Sequence, residues 1–390
     1  MVDCENLPTP ALLSKLQRGC FTHLFITIEQ LVRDDIIDAL ADCTGTIVAL
    51  CLDEAHCVEV WENIKAAYKK IAYLRKRIGM RVPLVLLSAT VSPATFIRVS
   101  QKTGSKHLIS GGRARVMRRL QLNANLQFDC TKFQRMGANV DDRLAAVPAF
   151  IPAEFTQLLI MLRCVMVNGT PQEMPKVVIF CDNTTQVAQV FEFFMGSTLY
   201  DYPQCKYFDA YVGAYMGSTF DGTKESLQAR LDAGTCRLFI CTSAWGMGMD
   251  QPDIRWVLIY GIPRTLEGLI QQAGRAGRDG LKAKVTVIWT NYDLRRASKS
   301  LREFIQGDGT DRFCRRMCAL RHLEHETASQ IRRRFASEVK PGLDCANSPT
   351  PCDCCRVRNQ RAFSETPQTF PTLNGTNAIP TASDFPLLAT

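Results

Sequence analysis

Long apolar runs are missing from this 390-residue sequence. No stretch approaches about eighteen consecutive apolar residues, so a membrane-spanning helix is not expected. The first residues, MVDCENLPTP, also lack the basic start and apolar core of a secretory signal. Without such a signal, the 17 cysteines are expected to be mostly reduced thiols rather than a disulfide framework. These absences predict a protein that is neither secreted nor membrane-bound.

A phosphate-binding loop is also missing. The pattern Gly-x-x-x-x-Gly-Lys-Ser/Thr, whose backbone N–H groups and lysine hold nucleotide phosphates, occurs nowhere in the sequence. The nearest approach runs from Gly217 to Lys224 and is followed by Glu225, so it lacks the Gly-Lys-Ser/Thr ending. No segment of this sequence therefore supplies that loop.

The composition is ordinary for a globular protein, with 46% hydrophobic and 22% charged residues. The length is enough for two globular units and an accessory piece. The net charge of +9 suits a polyanionic partner such as nucleic acid, although a generic basic protein fits it equally well.

Short apolar, β-branched runs alternate with longer helix-like segments, which predicts a parallel sheet and the α/β class. Because the runs are continuous rather than alternating, we expect strands buried on both faces. The stretch from about 109 to 169 interrupts the alternation and is interpreted as a connection between two α/β units plus the entry to the second. The predicted strands are Thr46–Leu52, Leu84–Leu87, Lys176–Cys181, Arg237–Cys241, Arg255–Tyr260 and Lys284–Trp289.

Two adjacent carboxylates, Asp53 and Glu54, follow the first predicted strand. The carboxyl end of a parallel strand faces the crevice where ligands bind in α/β sheets. Asp53 is a candidate for holding Mg²⁺ through water, and Glu54 for orienting and deprotonating a water in phosphoryl transfer. His56 would couple this site to a neighbouring element. The alternative is a helix N-terminus whose acidic residues face the helix dipole.

The next predicted strand ends in Ser88-Ala89-Thr90. Hydroxyl groups of Ser88 and Thr90 could relay hydrogen bonds from the carboxylate site to a partner domain, and a helix N-cap is the alternative. Asp53-Glu54-Ala55-His56, followed by Cys57 and Trp61 and then by this hydroxyl motif, resembles the superfamily 2 helicases. Cys57 and Trp61 point to the RecQ branch.

The second half of the chain carries further motifs of this family. The decapeptide QQAGRAGRDG begins at Gln271, which matches the glutamine that opens the RecQ-type motif. Arg275 and Arg278 are three residues apart, so on a helix they would share one face and suit a triphosphate. The resemblance makes Arg278 the arginine finger. Upstream, Gly248 allows close backbone approach to a ligand, and Asp250 could accept a hydrogen bond from a ribose hydroxyl.

Cysteines cluster near the end of the chain, and the two-residue gap between Cys352 and Cys355 is typical of zinc knuckles. The cluster resembles the RecQ zinc-binding subdomain, and Cys318 and Cys354 remain possible substitutes in it. Unligated surface thiols are the alternative. The ligands implied by the resemblance are Cys314, Cys345, Cys352 and Cys355.

Arginines are frequent in the same region and predict a phosphate-contacting surface for DNA, with a solvated basic face as the alternative. They are Arg312, Arg315, Arg316, Arg321, Arg332, Arg333 and Arg334.

The resemblance extends from about Phe21 to Cys355 and implies two RecA-like parallel-sheet domains, the first incomplete, followed by a small helical zinc-binding subdomain. It implies ATP, Mg²⁺ and Zn²⁺ as cofactors and single-stranded or partly duplex DNA as partner. It also implies a location in the nucleus, or in the cytoplasm where the source has no nucleus. An intact relative would bind ATP and unwind DNA 3′ to 5′, and we expect this chain to be truncated before its phosphate loop. The alternatives are an inactive nucleic-acid-binding or partner-binding protein and an RNA-remodelling protein. The expected domains are 1–115, 116–305, 306–360 and a disordered tail at 361–390.

Overall fold

The chain divides into two compact units in the computed structural model. Unit 1 comprises residues 1–121 with 323–325, and unit 2 comprises 122–322 with 326–390. Among the described residues, no helix combines the length and the apolarity needed to cross a membrane. The structure describes residues 9–60, 66–105, 125–133, 152–168, 170–201, 211–217, 219, 221–246, 250–307, 309, 313–324, 345, 348 and 350–362.

Unit 1 contains two short parallel strands, β1 (Leu50–Leu52) and β2 (Leu84–Leu86), with Leu52 opposite Leu86. Several helices pack around a core that includes Ile36, Leu40 and Leu74. The helices are α1 (Pro10–Gln17), α2 (Ile28–Leu31), α3 (Asp34–Asp42), α4 (Cys57–Val60), α5 (Ile71–Ile78) and α6 (Pro93–Lys102), with 3₁₀ turns at Thr44–Thr46 and Ala66–Lys70.

Local sequence explains where two of these helices begin. Thr9 and Ser92 precede α1 and α6, and each side chain accepts a hydrogen bond from a backbone N–H of the first turn. Proline follows each cap at the first helical position, where its missing N–H costs nothing.

Unit 2 is built on a six-stranded parallel sheet with the order β3-β8-β7-β4-β6-β5. Its strands are β3 (Leu126–Lys132), β4 (Lys176–Cys181), β5 (Val212–Tyr215), β6 (Leu238–Thr242), β7 (Ile254–Tyr260) and β8 (Ala283–Trp289). Its helices are α7 (Ala153–Asn168), α8 (Thr184–Asp201), α9 (Asp221–Asp232), α10 (Leu266–Ala273), α11 (Asn291–Arg296), α12 (Lys299–Gln306), α13 (Arg315–Glu324) and α14 (Asp353–Ala362), with 3₁₀ turns at Pro171–Glu173 and Ser243–Gly246.

The α/β class and the parallel sheet are confirmed, and burial on both faces holds in unit 2, where every residue of β4 is buried. The same prediction is wrong for β1 and β2, since Cys51 and Val85 point to solvent. Only one face of the β1–β2 pair is covered by other described residues of unit 1. Strands β3 and β5 were not predicted, because β3 is an edge strand of mixed polarity and β5 is short and contains Gly213.

Candidate functional site

The acidic turn of unit 1 begins directly after β1. The backbone N–H of Ala55 donates to the Leu87 carbonyl at 2.8 Å, and the N–H of Glu54 donates to Asp53 Oδ1 at 2.9 Å. Glu54 has φ +47°, a left-handed conformation that is uncommon for a residue with a side chain. Such local strain clusters at functional sites, because the surrounding structure must hold it in place.

A buried histidine links this turn to the end of β2. His56 Nδ1 lies 2.9 Å from Ser88 Oγ and 3.2 Å from Glu54 Oε2, and its Nε2 lies 3.8 Å from Cys57 Sγ. Burial acts to lower the pKa of His56, but the hydrogen bonds with Cys57 and Glu54 outweigh it and raise that pKa to about 9. At neutral pH the imidazole is therefore charged and holds Glu54 and Ser88 together.

The other two predicted residues of unit 1 flank this link. Asp53 is exposed at the carboxyl end of β1, so its oxygens are open to a hard cation such as Mg²⁺. Thr90 is buried, and its hydroxyl has no hydrogen-bond partner among the residues that the structure describes. Buried polar atoms are normally hydrogen-bonded. A contact that the Thr90 hydroxyl makes only in another state of the protein would explain this exception.

In unit 2 the structure joins Asp250 to Arg278, whose Nη1 lies 2.8 Å from Asp250 Oδ1. Arg278 is exposed, whereas Arg275 is 6% exposed and buried. The prediction that a helix projects both guanidinium groups from one face is wrong. Helix α10 ends at Ala273, and both arginines lie in the turns that follow it.

Two further predicted residues of unit 2 are Gln271 and Gly248. Gln271 lies half-buried in the last turn of α10. Gly248 lies outside the described residues. The structure therefore brings Asp250 and Arg278 together in unit 2, with Gln271 and Arg275 on the adjoining segment.

Gly277, between the two arginines, has a conformation and a packing that exclude a side chain. Its φ is +58°, and an added Cβ would lie 2.5 Å from Asn125 Nδ2 and 2.8 Å from the Leu281 carbonyl oxygen. Asn125 Nδ2 donates to the Gly277 carbonyl at 2.8 Å. Asn125 was not predicted as a site residue, because nothing in its sequence neighbourhood signals a contact with a turn so far along the chain.

The four cysteines implied by the resemblance lie together in unit 2. Their Sγ atoms are all within 4.8 Å of one another, and this group includes neither Cys318 nor Cys354 among the described residues. Each of the four is at most 8% exposed. In a tetrahedral zinc site with Zn–S bonds of about 2.3 Å, the sulfurs are about 3.8 Å apart, which is within this limit. The cluster therefore fits a tetrahedral metal ion.

Hydrogen bonds among the four cysteines lower the pKa of Cys345 and Cys352 and raise the pKa of Cys314 and Cys355. The side chain of Cys314 contacts Cys345 and Cys352, and this contact is the largest cause that lowers the pKa of both. The N–H of Cys352 donates to Cys345 Sγ at 3.3 Å, and Arg358 donates to Cys355 Sγ at 3.1 Å. Deprotonated sulfur is the form that binds a metal ion.

The structure overturns the DNA-contact prediction for Arg315 and Arg316, which are 6% and 1% exposed. Arg315 makes two parallel hydrogen bonds to Asp353, at 2.6 and 2.9 Å, and donates to the Ile305 carbonyl at 2.9 Å. Arg316 donates to the carbonyls of Leu126 and Thr350.

These arginines fasten the cysteine loop to the sheet. Asp353 also accepts a hydrogen bond from the backbone N–H of Cys130 in β3, at 3.0 Å. Asp353 was missed as a structural residue, although its place between two of the clustered cysteines was a usable signal. Arg321 is exposed and lies 3.2 Å from Glu303. The remaining predicted arginines lie outside the described residues: Arg312, Arg332, Arg333 and Arg334.

The sequence of unit 2 matches a known domain family. Residues 157–280 match the helicase conserved C-terminal domain. The chain is also 26% identical over 335 residues to the RecQ-like DNA helicase blm-1 of Caenorhabditis elegans, covering 82% of this chain and 29% of the relative. It is 24% identical over 285 residues to the ATP-dependent DNA helicase RecQ of Bacillus subtilis strain 168, covering 72% of this chain and 40% of the relative.

The fold is similar to that of solved helicases. The DUF1998 helicase MrfA, in a crystal structure bound to DNA and AMPPNP, superposes with a TM-score of 0.53 at 14% identity, over 86% of this chain and 46% of the other. This likeness establishes the RecA-like parallel-sheet fold. The chain spans less than half the length of each of these three proteins.

Proposed function

We propose that this chain is a RecQ-like helicase of superfamily 2 and belongs to an ATP-dependent motor that unwinds DNA 3′ to 5′, because it is similar to RecQ helicases along most of its length. Single-stranded or partly duplex DNA is the proposed partner, and the nucleus the proposed location. We propose the domains 1–115, 116–305 and 306–360, followed by a tail at 361–390.

One observation carries the proposal: the contact of His56 Nδ1 with both Glu54 Oε2, at 3.2 Å, and Ser88 Oγ, at 2.9 Å. It joins the ends of two parallel strands at the sheet edge where ligands bind. A charged imidazole that contacts both a carboxylate and a hydroxyl transmits a change at one of them to the other. Such a link suits a motor in which hydrolysis at one site alters contacts elsewhere.

Within this proposal each carboxylate has a separate role. Asp53, exposed and oxygen-rich, would hold Mg²⁺ through water, and Mg²⁺ when bound neutralises phosphate charge. Glu54 would orient and deprotonate the attacking water. Thr90 would relay hydrogen bonds with Ser88.

In unit 2, Arg278 would stabilise charge on the γ-phosphate. Its ion pair with Asp250 keeps the guanidinium in place until a phosphate competes for it. Arg275, Gln271 and Gly248 complete the proposed nucleotide-contacting set, with Asp250 accepting from a ribose hydroxyl.

Zn²⁺ is the proposed ion of the cysteine cluster. Four buried sulfurs with no carboxylate in the group favour a soft, four-coordinate ion over a hard cation. The role is structural, since all four protein ligands close the site and leave no open position for a substrate.

The second candidate function is nucleic-acid or partner binding without hydrolysis. Phosphate release from ATP and Mg²⁺, with and without single-stranded DNA, separates the two. If the protein is the proposed motor, DNA stimulates this release, and Glu54→Gln abolishes the release while DNA binding persists. Wild-type protein that binds DNA and releases no phosphate would support the second function, and stronger stimulation by RNA would redirect the proposal to RNA remodelling.

A further inference from the structure

Helix α5 and its flanking residues present a basic stripe to solvent. The buried side of the helix consists of Ile71, Leu74, Arg75 and Ile78. The opposite side repeats at three- and four-residue intervals, as expected for one face of an amphipathic helix. Its exposed members, here named the α5 stripe, are Lys69, Lys70, Tyr73, Lys76, Arg77, Met80 and Arg81.

Most of the positive charge on the α5 stripe has no partner. Arg77 forms an ion pair with Asp38 of helix α3. The hydrogen bond with Asp38 and the negative charges of Asp38 and Asp34 raise the pKa of Arg77. Lys69, Lys70, Lys76 and Arg81 make no side-chain hydrogen bond or ion pair within the part of the chain that the structure describes. Four cations with no partner among the described residues therefore lie along one face.

The surrounding sequence has the same bias. From Asn63 to Phe128 there is no aspartate or glutamate, while there are six lysines and eight arginines. This excess is larger than the net charge of +9 for the whole chain. A solvated helix face ordinarily mixes both signs of charge, so a long segment without acidic residues indicates an anionic partner.

We propose that the α5 stripe is an additional nucleic-acid-binding surface, which contacts the phosphates of a single strand and stacks a base on Tyr73. The eight residues of α5 rise roughly 12 Å, a length that lets the stripe contact more than one phosphate of the strand. Tyr73 is 50% exposed in the middle of the stripe, as a stacking platform requires. The surface is separate from the residues proposed for hydrolysis and needs no nucleotide.

The test compares two triple variants of the full chain by fluorescence anisotropy with labelled single-stranded DNA, without ATP. The stripe variant combines Lys69→Gln, Lys70→Gln and Lys76→Gln. It should bind DNA at least about tenfold more weakly at 0.1 M salt, and the slope of log K against log salt concentration should become smaller in magnitude by about 2. The matched control removes the same charge from exposed lysines elsewhere, through Lys15→Gln, Lys282→Gln and Lys299→Gln. This control variant should change the salt dependence of DNA binding little.

Tyr73→Ala should weaken single-strand binding roughly tenfold and leave duplex binding nearly unchanged, because paired bases cannot stack on it. Equal losses in both triple variants would mean that only net charge matters, and would overturn the proposal. The proposal would also be overturned if the stripe variant lost binding to anionic lipid vesicles while its DNA binding stayed unchanged. Phosphate release, assayed in parallel on wild-type protein, tests the proposed function separately.

Discussion

The two parallel sheets of this protein differ in how their strands are covered. In unit 2 the central strands are buried on both faces, and residues such as Leu258 and Val178 have no exposed surface. In unit 1 the pair β1–β2 is half-covered, and Val85 and Leu87 are 39% and 49% exposed. The candidate residues of unit 2 are therefore positioned by packing, while those of unit 1 are positioned by polar links across strand ends.

This contrast predicts where substitutions are costly. Apolar burial and buried ion pairs stabilise unit 2, so single changes there should have large effects. The link among Glu54, His56 and Ser88 in unit 1 depends on protonation and should respond to pH instead.

The largest effect is expected from the cysteine cluster. Cys355→Ser should reduce the zinc content from about one per chain to none. It should also lower the Tm by more than about 10 °C, because metal binding contributes folding free energy. Metal analysis and thermal unfolding measure the two effects, and the exposed Cys20→Ser serves as a control that keeps both. A wild-type protein that folds stably without metal would contradict the proposed zinc site.

Next in size is the ion pair between buried Arg315 and half-buried Asp353. Arg315→Ala should cost about 2–4 kcal/mol, because it leaves the Asp353 carboxylate, 19% exposed, without this partner. Arg321→Ala, on the same helix, removes an exposed ion pair with Glu303 and should cost about 0–1 kcal/mol. Urea unfolding measures both, and similar costs for the two would show that burial does not decide the strength of these pairs.

The two sheets can be compared directly by truncating one strand residue in each. Leu258→Ala in β7 leaves a cavity and should cost about 2–5 kcal/mol. Val85→Ala in β2 removes a half-exposed side chain and should cost about 0.5 kcal/mol or less. If Val85→Ala proved as costly as Leu258→Ala, the exposed face of β1–β2 would have to be covered in solution.

The smallest effect concerns His56 and pH. Its folded pKa of about 9 lies above the ordinary value of 6.5, so its contribution is fully present below pH 6.5 and is lost as the pH rises through about 9. The contribution is on the order of 3 kcal/mol or less. Urea midpoints between pH 6 and 10 should fall for the wild type and change less for His56→Gln. Parallel slopes for the two proteins would contradict the raised pKa.

Much of the fold follows from the sequence by itself, because its signals are local. Continuous apolar runs identified six of the eight strands found among the described residues, and their alternation with helical segments predicted the parallel sheet. The acidic turn after β1 and the arginine motif after α10 were visible as short patterns for the same reason. The gap between Cys352 and Cys355 likewise signalled a metal site.

Contacts between distant residues were decided only by the tertiary structure. The Arg315 and Arg316 side chains look like DNA contacts in sequence but are buried against Asp353, Leu126 and Thr350. His56 meets Ser88 across 32 positions, and Asn125 meets Gly277 across 152. Whether a side chain is exposed, and which residue it contacts, depends on tertiary packing. Packing brings together residues that are far apart in the chain, and the local sequence around them does not indicate the contact.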